Sequence, residues 1–448
     1  MMMMGKVFVA MVLVGGCTGG STNDPMGTAN QAVSGPSTVD AARVPNNFLQ
    51  GATLRHGDAD QGRHKSGAAF SNGVGVDSVA NFVGSFSAPG FDGAGNPQSV
   101  WPYSMVGAPP SANRTTTIHA PIIPITVELL DAAGNVAQAP NGTPLRMVMG
   151  ADTIDATVKS PVFGSFAYNS GTGQFTDQLM RTMFWDQFPH HGHEGDDRDH
   201  GGYHTVLDPR VTPTRTIQLP LGSYRYAPKA DGSCCAFILA DAGTFGNLLF
   251  PATQTDTTTV LGAAENSHTI NTRDITTLLF KDVYLYDGDP SNCCILGYHS
   301  YDVEPGDASN GNRERRYVMD YASYISPNLF SFGFQDVTGF SHEMSELFAD
   351  PFIDNATPWW LSQDPVLGSS LCQNNLETGD VVEVLSTPVY PVAMNNRTYH
   401  PSNEAMLSWF AFQSPSTARG GAYSFPDETV LPFLSPGPLG VNCAAPTP

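Results

Sequence analysis

The stretch His342-Glu343-Met344-Ser345-Glu346 has the residue types and the spacing needed for metal-assisted hydrolysis. Residues four apart on a helix share one face, so His342 and Glu346 can grip a single cation. Glu343 then points at a water on that cation and can serve as its base. The commoner HExxH arrangement has a second histidine where Glu346 stands. A glutamate there is still an acceptable zinc ligand, with its oxygen at about 2.0–2.2 Å. It exchanges a neutral donor for an anionic one, which raises electron density on the metal and makes a bound water less acidic. Glu343 is therefore the candidate catalytic residue, and His342 and Glu346 are candidate zinc ligands. An isolated HExxE is common by chance, so its neighbours carry weight. Alone it reads equally as a solvated helix face with polar pairs.

The chain continues as ADPFIDNATPWW (349–360) and later as LCQNNLETGD (371–380). The residues in question are His342, Glu343, Glu346, Asp350, Pro351, Trp359 or Trp360, Glu377, Gly379 and Asp380. Their order resembles that of secreted bacterial HExxE proteins of the zincin-like metallopeptidase type. The plant phosphate-induced (EXORDIUM-like) proteins share the same core. Softer matches extend the resemblance over about residues 119–434, in SPVF (160–163), QFTDQLMRTMFW (174–185), AMLSWFAF (405–412) and AYSFPDETVL (422–431), while its specific part is 341–380. The resemblance implies a zincin-like α+β fold: a loop-rich mixed sheet with an active-site helix carrying HExxE.

A catalytic zinc site uses three protein ligands and keeps one position open. Glu377 is the first choice for the third ligand, because ETGD resembles the downstream glutamate of gluzincin peptidases. Asp380 would then orient a ligand. Asp350 is an alternative ligand, on the same helix face as His342 but a turn further on. It reads equally as a helix-end residue fixed by Pro351. Asp354 is a weaker option. Water attack on a carbonyl also needs an oxyanion donor. His400 in TYHPSNE is the candidate, and His299 in GYHSY is another. Each is more readily a structural histidine.

The segments that must position these groups are legible in outline. Residues 334–349 have helical apolar spacing and end at Asp350-Pro351. A second helix is expected over 172–188. Strands are expected over 120–131, 146–150, 160–168, 214–221, 235–241, 276–288, 293–302 and 316–325. HHGHEGDDRDHGGYH (190–204) could bind a metal, but its Gly and Asp content favours a mobile loop near the cleft.

The N-terminus reads as an address. Lys6 precedes the apolar run VFVAMVLV (7–14), too short to span a ~30 Å hydrocarbon core. Val14-Gly15-Gly16-Cys17 resembles a bacterial lipobox, making residues 1–17 a lipoprotein-type signal peptide with lipidation at Cys17. Residues 18–45 read as a flexible tether, 46–118 as an irregular N-terminal region and 119–448 as the zincin-like domain. An exported chain favours disulfides. Adjacent cysteines are badly placed to bond each other. The Cys234/Cys235 pair is thus expected to cross-link with Cys293/Cys294, and Cys372 with Cys443.

The composition supports export: 448 residues, 45 Gly, 35 Pro and only 14% charged residues. The net charge of −21 excludes nucleic acid, which needs a basic stripe, and electrostatic docking on anionic lipid. Membrane contact is then through a lipid at Cys17 only. No GxSxG elbow or GxxxxGK[ST] loop is present. The expected function is an exported zinc-dependent hydrolase, a metallopeptidase acting on protein or peptide. The alternative is a non-catalytic cell-surface or wall/polysaccharide-binding protein on the same scaffold.

Overall fold

The computed structural model describes residues 35–51, 75–92, 94–189, 202–331, 333–362, 371–383 and 385–431. The expected signal peptide, Cys17, most of the expected tether and Cys443 lie outside the described residues, as do His190, His191, His193 and His200. Among the described residues no helix is long and apolar enough to cross a membrane.

In chain order the strands are β1 (Asn81–Phe91), β2 (Pro97–Val106), β3 (Thr115–Leu129), β4 (Arg146–Met147), β5 (Phe166–Tyr168), β6 (Gly171–Gly173), β7 (His204–Val211), β8 (Arg215–Leu219) and β9 (Tyr224–Pro228). They continue with β10 (Cys234–Asp241), β11 (Ile275–Lys281), β12 (Val283–Tyr286), β13 (Cys293–Ile295), β14 (Gly297–Glu304), β15 (Arg315–Tyr324), β16 (Ala356–Ser362) and β17 (Leu371–Asn375), and end with the short β18 (Val392–Met394), β19 (Arg397–Tyr399), β20 (Glu404–Ala405) and β21 (Ser424–Phe425). The α-helices among the described residues are α1 (Ala151–Val158), α2 (Phe175–Met183), α3 (Ala242–Leu249), α4 (Val260–Asn266), α5 (Thr338–Ala349) and the short α6 (Leu407–Phe410). The protein is thus a mixed α and β fold.

The main sheet has seven strands, with the path β14-β15-β11-β3-β4 and with β7 and β8 on β3. β15, β11, β3, β7 and β8 run parallel to one another, while β14 is antiparallel to β15 and β4 antiparallel to β3. β3 is apolar on both faces through its middle, which suits a strand flanked by parallel partners and covered on both sides. It pairs with β7 through Ile122 and with β8 from Ile125, and Pro124 stands at the changeover. One face of the sheet, with Ile122, Ile275, Leu279, Val318 and Ala322, packs on α2, α5 and the β1–β2 hairpin. The other, with Ile123, Leu278, Phe280, Met319 and Tyr321, packs on α3, α4 and a second sheet, β13-β12-β10-β9.

Several expected elements are corrected. The predicted strand 276–288 is two strands in two sheets, because Asp282 turns left-handed at φ 50° between them. Its buried carboxylate holds that turn, accepting from the Ser326 amide and hydroxyl at 2.6 Å each. The predicted strand 293–302 likewise divides at Leu296 into β13 and β14. Residues 160–164 form a turn after α1 rather than a strand. The predicted helices shorten to α2 and α5. The boundary at 118/119 falls inside β3. The described part of the preceding region forms the β1–β2 hairpin, whose Phe82, Tyr103 and Met105 join the core beside α2 and α5.

The cysteine pairing is corrected too. Cys234 bonds Cys235 and Cys293 bonds Cys294, each across a cis peptide. The two pairs lie on β10 and β13, with β12 between them. Strands two places apart are roughly 10 Å from each other, beyond the reach of a disulfide.

Candidate functional site

Helix α5 packs against β14, β15, α2 and β2. It is buried at every position but His342, whose side chain is 12% exposed. Burial of this kind, rather than helix propensity, holds a twelve-residue helix in place. Asp350 ends it. Its carboxylate accepts from the amides of Asp354 (3.0 Å) and Asn355 (3.1 Å). Both oxygens therefore serve the turn that leads out of the helix, the helix-end role rather than the ligand role. Burial, with Asp354 adding, pushes the Asp350 carboxyl up to about 8.

His342 and Glu346 share one helix face, with Nε2 and Oε1 3.3 Å apart. The loop after β17 closes over them. His342 Nε2 lies 3.4 Å from Asp380 Oδ1, and Glu346 Oε1 accepts from the amides of Gly379 (3.0 Å) and Asp380 (3.3 Å). The second Glu346 oxygen faces the sheet, 3.8 Å from His299 Nδ1. His299 projects from edge strand β14. It places Nδ1 3.4 Å from Glu343 Oε2 and Nε2 3.9 Å from Glu377 Oε2. Glu346 is thus the hinge of two overlapping groups: His342 with Glu343, and His299 with Glu377. Asp380 with Glu383 forms a third group on His342.

Strand β17 orients the carboxylates of that loop. Gln373 and Asn375 are two apart and share a strand face. Gln373 donates to Asp380 Oδ2 at 2.8 Å, and Asn375 donates to Glu377 Oε1 at 2.9 Å. Beneath them, buried Glu404 accepts from Thr378 Oγ1 (3.0 Å) and from the Ser402 hydroxyl. Two glycines make room. A Cβ on Gly379 would lie 2.3 Å from His342 Nδ1, and one on Gly297 would lie 2.5 Å from Glu343 Cγ.

The electrostatics follow from burial. Desolvation pulls the His342 imidazole down, but the carboxylates of Glu346, Asp380 and Glu343 outweigh it and raise it well above the ordinary value. His299 is raised in the same way, against desolvation, chiefly by Glu343 and Glu346. Burial raises Glu343, with the Glu346 charge adding to it. Glu404 is driven well up by burial. Carboxylates outnumber imidazoles in this buried space, so it needs protons or a cation.

The donor set fits a divalent ion with mixed nitrogen and oxygen preference. Donors about 2.1 Å from one zinc are roughly 3.4 Å from each other, longer than a good hydrogen bond. The spacings around His342 have that length. His299 Nε2 is moreover buried with no hydrogen-bond partner.

Glu346 thus gathers His342 and Glu343 on one side and Glu377 with His299 on the other, and Asp380 faces His342; His342 and Glu377 share none of these groups. His400 is not among them. Its Nδ1 faces Asp336 at 2.7 Å and its Nε2 faces Gln335 at 3.2 Å, before the start of α5. Both ring nitrogens are occupied, so it is not placed to donate to an oxyanion. Asp354 is in none of the groups that could hold an ion. His204, the one described histidine of the 190–204 stretch, starts β7 with Nδ1 2.9 Å from buried Asp177. Sequence reasoning weighed His299 only as an oxyanion donor and missed Gln373, Asn375 and Glu404. For His299 the usable signal was its place on a strand expected beside the helix. The other three have no motif. Compared with known proteins, the chain matches no family model, no curated protein and no solved structure.

Proposed function

We propose that this chain is an exported zinc-dependent hydrolase, a metallopeptidase on a zincin-like scaffold. The observation that carries the reading is the buried convergence of His342 and Glu346 with the carboxylates of the 377–380 loop, with Glu343 beside them. His342 and Glu346 would hold the zinc, with Glu377, which shares a group with Glu346 and His299, as third ligand, and Asp380 beside the site on the same His342 Nε2. Zinc bound there supplies a Lewis acid that polarises a carbonyl and makes a water nucleophilic at neutral pH. Glu343 takes up the proton at a carboxylate oxygen, and burial makes it the stronger base for that task. His299 Nδ1 holds the Glu343 carboxylate from the sheet side. Lipid attachment at Cys17 would tether the enzyme outside the cytoplasm, with protein or peptide as substrate.

Metal analysis of the purified mature chain is the test. About one zinc per chain is expected, falling to background in His342→Ala. A parent protein without stoichiometric metal would sink the reading.

Within the loop, the two acids separate by role. Glu377→Gln is expected to lose the zinc, whereas Asp380→Asn weakens its affinity by about 10–100-fold. Titration of each apo variant with a zinc-sensitive dye measures both, and the reverse order would transfer the ligand role to Asp380.

A second reading has one observation in its favour. Glu343, Glu346 and Glu377 are only 6%, 3% and 4% exposed, which leaves little room for a polymer to approach. On that reading the zinc is structural, and the chain is a non-catalytic cell-surface or wall-binding protein.

A further inference from the structure

Edge strand β14 has a second face. Gly297, His299 and Tyr301 point toward α5, so the alternation of a strand sends Asp302 and Glu304 the opposite way. There they meet Glu265 of α4, and the three carboxylates place oxygens within 4.8 Å of one another. Glu265 is 95% buried, being 5% exposed, and neither of its carboxylate oxygens has a hydrogen-bond partner. We propose that Glu265, Asp302 and Glu304 form a calcium site, separate from the HExxE cluster, that clamps the edge strand β14 to α4.

The argument begins with Glu265. Three anions this close repel one another, and solvent does not reach the most buried of them. No N–H or O–H donor reaches either oxygen of Glu265, so among the described residues nothing offsets its charge. Burial, with the charges of Asp302 and Glu304 adding, pushes its carboxyl up to about 9, which is the penalty a cation would remove. The nearby positive group, Arg315, is tied to Asp307 at 2.8 Å. Glu304 accepts from the Tyr317 hydroxyl at 3.3 Å, which fixes one of its oxygens.

The donors select the ion. An all-oxygen, nitrogen-free set disfavours zinc and suits a hard cation. Three carboxylates with up to six oxygens match the six to eight that calcium takes, whereas magnesium keeps most of its water.

The test uses the full mature chain, freed of metal with EDTA and then titrated with calcium. About millimolar calcium is expected to raise Tm by roughly 5 °C, and magnesium at the same concentration by much less. Terbium should bind in place of calcium and luminesce on tyrosine excitation through Tyr317. Glu265→Gln should abolish both responses, and Asp302→Asn serves in its place if that variant does not fold. His342→Ala should keep both, which separates this site from the HExxE cluster. A parent without a calcium response overturns the proposal. So does a response that survives Glu265→Gln, one lost in His342→Ala, or an equal response to magnesium.

Discussion

Glu343→Gln is expected to keep the zinc of the parent chain while lowering hydrolysis of a broad peptide panel by about 10²–10⁴-fold. The amide has nearly the shape of the carboxylate, so it still fits under Gly297 and beside His299. What it loses is the capacity to take a proton. Because Glu343 is assigned to the water and not to the metal, zinc content should be kept, and metal content and rate should separate cleanly. Cleavage that persists undiminished in the variant would show that Glu343 is not the base. A parent that holds zinc and cleaves nothing would instead support the non-catalytic reading, and with it a structural meaning for the deep burial of the cluster.

Gly379→Ala is expected to cut zinc affinity by at least about 100-fold and to cost about 1–3 kcal/mol of stability. The added Cβ would lie 2.3 Å from His342 Nδ1, 2.5 Å from Cε1 and 2.7 Å from Cγ. These are ring atoms, so no flexible chain end is available to yield. The ring stands between Glu346 and Asp380 on a helix packed into the core, so relief must come from moving the imidazole or lifting the loop. Either displaces a ligand. Gly297→Ala makes an informative partner. Its Cβ would strike Glu343 Cγ at 2.5 Å, so it should impair the rate more than the metal. Zinc titration, denaturant unfolding and peptide cleavage on both variants read the difference. Equal zinc affinity in parent and Gly379→Ala would mean that His342 is not a ligand.

Much of the local structure was legible in the sequence. The apolar spacing of 334–349 identified α5, and Asp350-Pro351 marked its end, because a helix is specified by contacts three and four residues apart. The early residues 334–337 were included wrongly because Phe334 and Val337 are buried and apolar without being helical. Strand existence was read more safely than strand membership. Residues 276–286 are β-branched, apolar or aromatic except at Lys281 and Asp282, and nothing local tells that Asp282 passes the chain from one sheet to another. The hairpin β1–β2 escaped because its burial alternates only weakly, and its many small residues give little periodic signal.

By itself, then, the sequence determined the helix, its i and i+4 donors, the adjacent Glu343 and the acidic loop downstream. All of these depend on geometry that acts over a few residues of chain. Only the tertiary structure decided which groups meet them. His299 reaches Glu343 across 44 residues, the loop amides reach Glu346 across 33 and 34, and Gln373 and Asn375 arrive on a separate strand. It also decided that His400 stands aside, that Cys234 bonds Cys235 and Cys293 bonds Cys294, and that the two faces of β14 serve two different clusters of acids. The physical reason is the same throughout. Helical periodicity is written in neighbouring residues, whereas strand pairing and loop closure are settled by which distant segments bury each other's apolar faces, and composition and spacing do not record that choice.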